Sequence, residues 1–378
     1  MKNEYNNSFF SAFINVDPDK ISEQIQKISE QKAEECIQKS KFSAQDIPVL
    51  LSPAMGKYLE RMARKSYLIT RQRFGNVIQL YAPLYLSNEC FSICKYCGFS
   101  SDNKIDRVTL TVDEVVKEGI ILYEQGFRHV LLVSGDASKI ISQQYLKKIV
   151  TELKKYFHSI SIEIHPMESE EYAESVDAGV DGLTVYQETY LPEVYKNMHI
   201  KGKKSNFKWR LETPERAGQA GMRRIGIGFL LGLSDWRLDG YYLSLHAQYL
   251  MKRFWQSQIS ISLPRLCHTG KNFQVPHPVK DFHLVQLLCA LRMVFPDAIL
   301  TLSTREKASL RDRLIPLGFT MISAGSKTEP GGYTRIHRSD SQFKIEDTRS
   351  SAEVADEIRH MGLEPVWKDW DKYFLIKS

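Results

Sequence analysis

From residue 77 onward, short apolar runs alternate with amphipathic stretches such as TVDEVVKEGIILYEQG and SQQYLKKIVTELKKYF. Near-continuous apolar strands that alternate with helices predict a parallel sheet with both faces covered. The predicted strands are 77–87, 129–135, 159–166, 182–189, 224–232, 258–266, 298–306 and 319–326. Eight such units predict an α/β fold of the closed (β/α)8 TIM-barrel type.

Residues 1–75 are charged, and their pattern predicts helices. The stretch ISEQIQKISEQKAEECIQKS suits one amphipathic helix, with Ile21, Ile25 and Ile28 on one face. We therefore divide the chain into an N-terminal helical extension (1–75), a barrel core (76–306) and a C-terminal segment that completes the barrel (307–378).

Polar residues cluster where the predicted strands end. Because the active sites of such barrels lie at the C-terminal ends of the strands, we expect these side chains to meet at one mouth. By contrast, the lysine-rich run at 201–204 is typical of a solvated loop, although it could also dock a partner. The strand-end residues are Ser134, Gly135, Asp136, Glu163, His165, Gln187, Glu188, Arg265, Arg305, Glu306, Ser323 and Ser326.

Three cysteines, Cys90, Cys94 and Cys97, form a C-x3-C-x2-C pattern directly after the first predicted strand. Three thiolates on one loop match three irons of a [4Fe–4S] cubane and leave the fourth iron open for a small molecule. A zinc site is the alternative, but structural zinc requires four ligands, and no second pair follows at the usual distance. The other cysteines, at positions 36, 267 and 289, are scattered singly.

The bulk composition narrows the class of protein. A net charge of +6 spread over 378 residues is mild and does not favour nucleic-acid binding. Six cysteines in so long a chain do not form a disulfide framework, which favours a reducing cytoplasm. The first residues carry too short an apolar run for a signal peptide, and no stretch is apolar enough to span a membrane.

The cysteine loop and several further segments resemble the radical S-adenosylmethionine (SAM) superfamily and, within it, the tyrosine lyases (2-iminoacetate synthases) of thiamine biosynthesis. The resemblance runs from about residue 80 to the C terminus and implies a biotin/thiamin-synthesis-associated region at roughly 260–366. The segments that carry it are APLYLSNECFSICKYCGFS, DGLTVYQETY, KGKKSNFKWRLETPERAGQAGMRRIGIG, LSTRE, SAGSKTEPGGY and PVWKDWDKY.

The chain departs from the usual family pattern at four places. Ser134-Gly135-Asp136 replaces a Gly-Gly-Glu or Thr-Gly-Glu motif, and PRLCHTG replaces PRLRP. Leu191 stands where a histidine is common, and His165 stands where a glutamine is typical. These changes bear on the substrate pocket rather than on the cluster.

The resemblance implies that SAM binds the open iron of the [4Fe–4S] cluster through its amino and carboxylate groups. It places Tyr96 beside the adenine and Ser134, Gly135 and Asp136 against the methionine amino group. Glu163 is a candidate for the SAM ribose. Gly226 and Gly228 are candidates for contact with adenine. Each of these residues also has a structural interpretation, such as packing, helix capping or a strand-to-helix turn.

For the substrate, Arg305 is predicted to bind the tyrosine carboxylate, because a guanidinium binds a carboxylate through a two-point fork. Ser323 would assist, and Arg265 is the reserve candidate. A local ion pair of Arg305 with Glu306 or with a neighbouring acid is the structural alternative. Either Glu188 or His165 would handle the phenol proton.

The implied reaction is radical cleavage of the Cα–Cβ bond of L-tyrosine to dehydroglycine (2-iminoacetate) and p-cresol, with 5′-deoxyadenosine and methionine. Expected partners are thiazole synthase and a low-potential electron donor such as flavodoxin or ferredoxin. Two alternatives remain open, a related radical SAM lyase that acts on tryptophan and a zinc-stabilised, non-catalytic barrel.

Overall fold

A computed structural model of the chain describes residues 8–266, 273–335 and 339–368. Within them the central feature is a parallel sheet whose strand order, β10-β9-β8-β7-β5-β4-β3-β1-β11, closes through an additional β10–β1 pairing. Eight strands thus form a closed barrel, and the predicted fold class is confirmed. The strands are β1 Val77–Ser87, β2 Ile93–Cys94, β3 His129–Ser134, β4 Ser159–Glu163, β5 Gly182–Glu188, β6 His199–Lys201, β7 Arg224–Phe229, β8 Gln258–Ser262, β9 Ile299–Leu302, β10 Met321–Ser323 and β11 Glu364–Val366.

All eight predicted strands are present, but several are shorter than predicted at their C-terminal ends. The fourth barrel strand, for example, ends at Glu188, and the seventh ends at Leu302 rather than at 306. The polar residues after these strand ends belong to loops. In barrels of this type, the side chains that surround the active site follow the last hydrogen bonds between neighbouring strands.

Three short strands were not predicted. β2 and β6 form an antiparallel pair beside the barrel, and β11 lies parallel to the beginning of β1, with Ile78 opposite Pro365. Strands of two or three residues are too short to give a periodic signal. The terminal PVWKDWD motif begins in β11, but its residues from 369 onward lie outside the described part of the chain.

Helices cover the barrel and precede it, and within the described residues the α-helices number fifteen. Between β-strands they complete the β/α units. The helices are α1 Phe9–Phe13, α2 Pro18–Gln26, α3 Glu30–Gln38, α4 Ile47–Leu50, α5 Leu59–Phe74, α6 Val112–Glu124, α7 Gln143–Leu153, α8 Ser169–Ala178, α9 Pro192–Met198, α10 Phe207–Leu211, α11 Thr213–Gln219, α12 Trp236–Arg253, α13 Asp281–Val294, α14 Ala308–Leu314 and α15 Ser351–His360.

The single helix predicted over ISEQIQKISEQKAEECIQKS is two helices in the structure, α2 and α3. The break occurs because the Ser29 hydroxyl accepts a hydrogen bond from the backbone N–H of Lys32 and begins a new helix. Ile25 is buried as predicted.

The helical extension is anchored on the barrel. Phe9 stacks on His246 of α12 with ring centroids 4.2 Å apart, and its backbone N–H donates to Glu215. Within the described residues, no helix is both long and apolar enough to cross a membrane.

Candidate functional site

The C-terminal ends of the barrel strands surround one open cavity, whose empty space of about 910 Å³ includes its opening to solvent. Loops from different β/α units meet there because all eight strands run in the same direction. Of the residues predicted from the sequence, the cavity is lined by Cys90, Cys94, Tyr96, Cys97, Ser134, Gly135, Asp136, Glu163, His165, Glu188 and Arg305.

The cysteine loop is held from several sides. β2 pairs with β6 so that Cys94 lies opposite His199, and the Cys94 N–H donates to the hydroxyl of Ser100. The N–H of Gly98 donates to the carbonyl of Gln342, 3.1 Å away, which fastens the loop to the C-terminal segment. The loop conformation is therefore fixed by protein contacts.

The donor set fits an iron–sulfur cluster better than a single metal ion. Three thiols line one cavity, yet no group of three His, Cys, Asp or Glu side chains in the described residues is placed to hold one ion. A cubane accepts one cysteine at each of three irons, so its ligands need not converge on a point. Cys36 and Cys289 are buried elsewhere, and Cys267 lies outside the described residues.

Tyr96, which lies between the second and third cysteines of the loop, is buried. Its hydroxyl bonds to His199, and the ammonium nitrogen of Lys204 lies 5.7 Å from the centroid of its ring. The ring therefore forms part of the cavity wall, and the contact with adenine stays a prediction.

Ser134-Gly135-Asp136 lies directly against the cysteine loop. A Cβ on Gly135 would come within 2.2 Å of the Glu89 carbonyl oxygen, so only glycine fits there. The Asp136 carboxylate accepts hydrogen bonds from the Ser92 hydroxyl (2.6 Å) and from the backbone N–H of Lys204 (3.1 Å). This motif thus joins the loop to the segment after β6.

Glu188 is the centre of a buried ion-pair cluster. Its carboxylate lies 2.5 Å from Nζ of Lys204 and 3.5 Å from Nη2 of Arg210. Burial opposes its ionisation, but Lys204 and Arg210 lower the pKa of Glu188 to about 2. Glu188 also has a φ of 69°, a left-handed conformation that is uncommon for residues other than glycine.

The interpretation of the lysine-rich run as solvated is therefore wrong for Lys204, whose side chain is only 16% exposed. Lys201 and Lys203 are exposed, in agreement with that interpretation. Arg210 of α10 was not singled out from the sequence at all. The sequence feature that points to both cations is the long KGKKSNFKWRLE block. It contains more charged residues than a short connection between helices requires.

Two further titratable groups face the cavity from the end of β4. Burial, followed by the charge of Glu188, raises the pKa of Glu163 to about 7, although Arg305 partly opposes this shift. His165 is buried, which lowers the pKa of its ring, and within the described part of the chain its Nδ1 has no hydrogen-bond partner.

Arg305 lines the same cavity as the three cysteines. Its guanidinium is stacked 3.4 Å from the centroid of the Phe343 ring. Ser323 is buried at the end of β10 and lines an adjoining cavity of about 480 Å³, whose wall also includes Arg305 and Phe343. The two predicted substrate residues therefore lie around connected space.

The reserve candidate, Arg265, lies away from this cavity. Its guanidinium pairs with Glu306 and, 2.8 Å away, with Asp281. Among the residues that the structure describes, Glu306 therefore pairs with Arg265.

Gly226 and Gly228 also stand outside the cavity lining. A Cβ on Gly228 would come within 2.3 Å of the Ser262 carbonyl oxygen and 2.8 Å of the Tyr186 ring. A Cβ on Gly226 would meet the hydroxyls of neighbouring strands at 2.9–3.0 Å. These contacts favour barrel packing, the structural alternative for both glycines.

Comparison with known proteins extends these findings beyond the cysteine loop. The radical SAM superfamily model matches residues 84–242, and the Biotin and Thiamin Synthesis associated domain matches residues 261–364. The 2-iminoacetate synthase of Escherichia coli (strain K12) is 44% identical over 341 residues, which cover 90% of each chain. The 2-iminoacetate synthase of Salmonella typhimurium is 43% identical over the same share of each chain.

A solved structure of HydG, a maturase of the [FeFe]-hydrogenase, superposes on this chain with a TM-score of 0.88 at 30% identity. The superposition covers 94% of this chain and 80% of the HydG chain. The similarity therefore extends over the barrel and the segments on both sides of it.

Proposed function

Because the chain belongs to the 2-iminoacetate synthase family of the radical SAM superfamily, we propose that it cleaves the Cα–Cβ bond of L-tyrosine to 2-iminoacetate and p-cresol. The observation that carries this proposal is that Cys90, Cys94 and Cys97 line the same cavity as Arg305. One space thus offers thiolates for a redox cofactor and a guanidinium for an amino-acid carboxylate.

The family implies a [4Fe–4S] cluster and SAM, and the three thiols are the residues that would hold the cluster. When bound, cluster and SAM supply the electron and the hydrogen-atom abstraction with which the reaction begins. The protein must hold SAM and the substrate amino group close together and exclude water.

For SAM, we assign its amino group to the Ser134–Asp136 turn and its adenine to the side of Tyr96. Lys204 and Arg210 share the single carboxylate of Glu188. Both cations line the cavity that contains the three cysteines, and we assign the SAM carboxylate to them. The ribose is assigned to Glu163, which lines the same cavity.

For tyrosine, we assign the carboxylate to Arg305, with Ser323 close by on the next strand. Of the two candidates for the phenol proton, His165 is the better base. Its ring is neutral and has an unpartnered Nδ1, whereas Lys204 and Arg210 hold Glu188 ionised in an ion pair. Glu188 then serves to position the two cations.

The direct test is an anaerobic assay of reconstituted protein with SAM, a reductant and either tyrosine or tryptophan. We expect p-cresol from tyrosine and no fragmentation of tryptophan; a tryptophan product without p-cresol would assign the chain to the other substrate. Cys94→Ala should lose both iron and SAM cleavage, whereas Cys36→Ala, at a buried cysteine away from the cavity, should keep both. Full activity with zinc and no iron would overturn the radical mechanism.

The electron donor needs a surface close to the cysteine loop. Phe91, within that loop, is 44% exposed, and Ile200, on the strand paired with it, is 54% exposed. The exposed lysines 95, 201 and 203 lie on the same loop and on the segment of β6. We propose that this basic and apolar face, defined by Phe91, Lys95, Ile200, Lys201 and Lys203, docks an acidic electron-transfer protein such as flavodoxin or ferredoxin.

Replacing the three lysines of this face with glutamate should raise the KM for flavodoxin by roughly tenfold at low salt, an effect that added salt should diminish. Activity with dithionite, which needs no docking, should be unchanged. Equal losses with both reductants would place the defect at the cluster and contradict the docking role.

The product also implies a partner and a compartment. An imine hydrolyses in water, so we propose that 2-iminoacetate passes to thiazole synthase within a complex. A reducing cytoplasm would keep the three thiols available for iron. We expect the two enzymes to copurify. We also expect thiazole formation to be suppressed when a membrane separates the two enzymes.

A further inference from the structure

Arg311 and Asp347 form an ion pair from which solvent is fully excluded, since both side chains are 0% exposed. Arg311 belongs to α14, and Asp347 belongs to the segment that precedes α15. Arg349 completes the group by binding the Asp347 carboxylate through Nε (3.0 Å) and Nη2 (2.7 Å). This pair lies outside the cavity lining, and the proposed chemistry does not use it.

Each member of the pair holds the end of a different barrel strand. Nη2 of Arg311 donates to the carbonyl of Ser323 at the end of β10, with a separation of 2.5 Å. The backbone N–H groups of Glu346 and Asp347 donate to the carbonyl of Thr304, directly after β9, at 3.0 and 3.2 Å. The ion pair therefore joins the two strand ends on which Ser323 and Arg305 stand.

The same segment reaches the cavity itself. Phe343, four residues before Asp347, supports the Arg305 guanidinium, and its carbonyl accepts a hydrogen bond from the Thr328 hydroxyl (3.0 Å). Gln342 accepts from the N–H of Gly98 beside the third cysteine. A shift of Asp347 would therefore be transmitted to the stacking partner of Arg305.

We propose that Asp347 and Arg311 are positioning residues that set the distance between Arg305 and Ser323 and so shape the site for the substrate carboxylate. This inference depends on the proposed assignment of the carboxylate to Arg305. A fully buried ion pair is often no more stabilising than a well-packed apolar pair. Its fixed hydrogen-bond directions, however, define the separation of the two strand ends, which packing of flexible apolar side chains would not do.

The test compares Asp347→Asn with Asp312→Asn. Asn keeps the shape of Asp347 but removes the charge that orients Arg311. We expect the KM for tyrosine to rise by roughly tenfold or more, because small displacements of a positioning group reduce productive binding strongly. Iron content and the dissociation constant for SAM should change by less than about twofold, since within the described residues Arg311 and the Asp347 carboxylate bond to Ser323 and Arg349 rather than to the cysteine loop.

Asp312 is the matched control because it accepts hydrogen bonds from Arg349 but, within the described ranges, bonds to neither Thr304 nor Ser323. Asp312→Asn should therefore leave the KM for tyrosine unchanged. Arg311→Lys keeps a buried cation but cannot bind Asp347 and Ser323 through one planar fork, so it should reproduce the effect of Asp347→Asn. If Asp347→Asn fails to fold, Arg311→Lys takes its place in the test.

Arg305→Ala separates the two hypotheses. If it raises the KM for tyrosine while Asp347→Asn and Arg311→Lys do not, the positioning role is overturned and the substrate site stands. If Arg305→Ala leaves that KM unchanged, the carboxylate assignment fails, and the positioning role fails with it. A lower melting temperature with an unchanged KM in both positioning variants would show a structural role only and would also overturn the inference.

Discussion

The hydroxyl of Tyr96 donates a hydrogen bond of 2.8 Å to Nε2 of His199. Nδ1 of His199 lies 2.8 Å from the carbonyl of Tyr195, so Nδ1 carries the proton and Nε2 is the acceptor. Burial, assisted by the charge of Lys204, lowers the pKa of His199 to about 3 and keeps the ring neutral. Because His199 lies opposite Cys94 in the β2–β6 pair, this bond ties the cavity wall to the cysteine loop.

His199→Phe should therefore weaken SAM binding and iron retention. The buried Tyr96 hydroxyl would lose its acceptor, which costs about 1–3 kcal/mol. Adding Tyr96→Phe to His199→Phe removes both polar partners and should restore part of the lost stability. Thermal unfolding of the four proteins of this cycle measures the coupling. Additive losses in the double variant would show that the two side chains act independently.

The Glu188–Lys204 pair predicts a defined dependence of stability on pH. Glu188 has a folded pKa of about 2, below its ordinary value of 4.5. Its contribution should therefore be complete above pH 4.5 and lost as the pH falls toward 2. Lys204→Met leaves Glu188 with Arg210 alone and should destabilise the fold by about 3–5 kcal/mol at neutral pH, as expected for a broken buried pair.

The control for this prediction is the double variant Glu188→Gln, Lys204→Met, which leaves the buried Arg210 without the Glu188 carboxylate. It should be less stable at pH 7 than Lys204→Met alone, which keeps the Glu188–Arg210 pair, and the difference should decrease as the pH falls and Glu188 is protonated. A Lys204→Met protein as stable as the parent at every pH would mean that solvent already screens the pair.

Glu163 should show the opposite behaviour. Burial first, and Glu188 second, raise its folded pKa to about 7 from 4.5. The folded state then binds more protons than the unfolded state between these values, so stability should fall as the pH rises through this window. Glu163→Gln removes the ionisation and should gain up to about 3 kcal/mol relative to the parent at pH 8, with the advantage disappearing near pH 4.5. Melting temperatures of both proteins across this range provide the measurement.

The sequence predicted the barrel well because its eight strands are long enough to carry apolar runs. It also placed Cys90, Asp136 and Arg305 at the same mouth, since parallel strands end on one side. Lys204 was missed because burial of a lysine depends on a partner, and Glu188 lies sixteen positions earlier in the chain. Pairing between such distant residues leaves no periodic pattern.

Arg265 and Arg305 show the same limit in another form. Both follow strand ends, and Arg305 was predicted to bind the substrate carboxylate, with Arg265 as the reserve candidate. In the structure, the guanidinium of Arg265 forms an ion pair with Glu306. The guanidinium of Arg305 stacks on the Phe343 ring and lines the cavity. The side-chain partners on other loops decide which arginine faces the cavity. These partners cannot be identified from a single sequence.

Gly135→Ala should release the cysteine loop without changing any charge. The added methyl group would lie 2.2 Å from the carbonyl oxygen of Glu89 and 3.0 Å from Cβ of Cys90, so the backbone of the loop must move. We expect iron content to fall by at least about half and SAM cleavage to fall further, because overpacking forces backbone shifts that cost about 1–3 kcal/mol. Gly56→Ala is the matched control, since its Cβ would meet nothing within 4 Å. Iron analysis and the absorbance of the reconstituted cluster compare the two variants. A Gly135→Ala protein that retains its full iron content would show that the loop does not depend on this close approach.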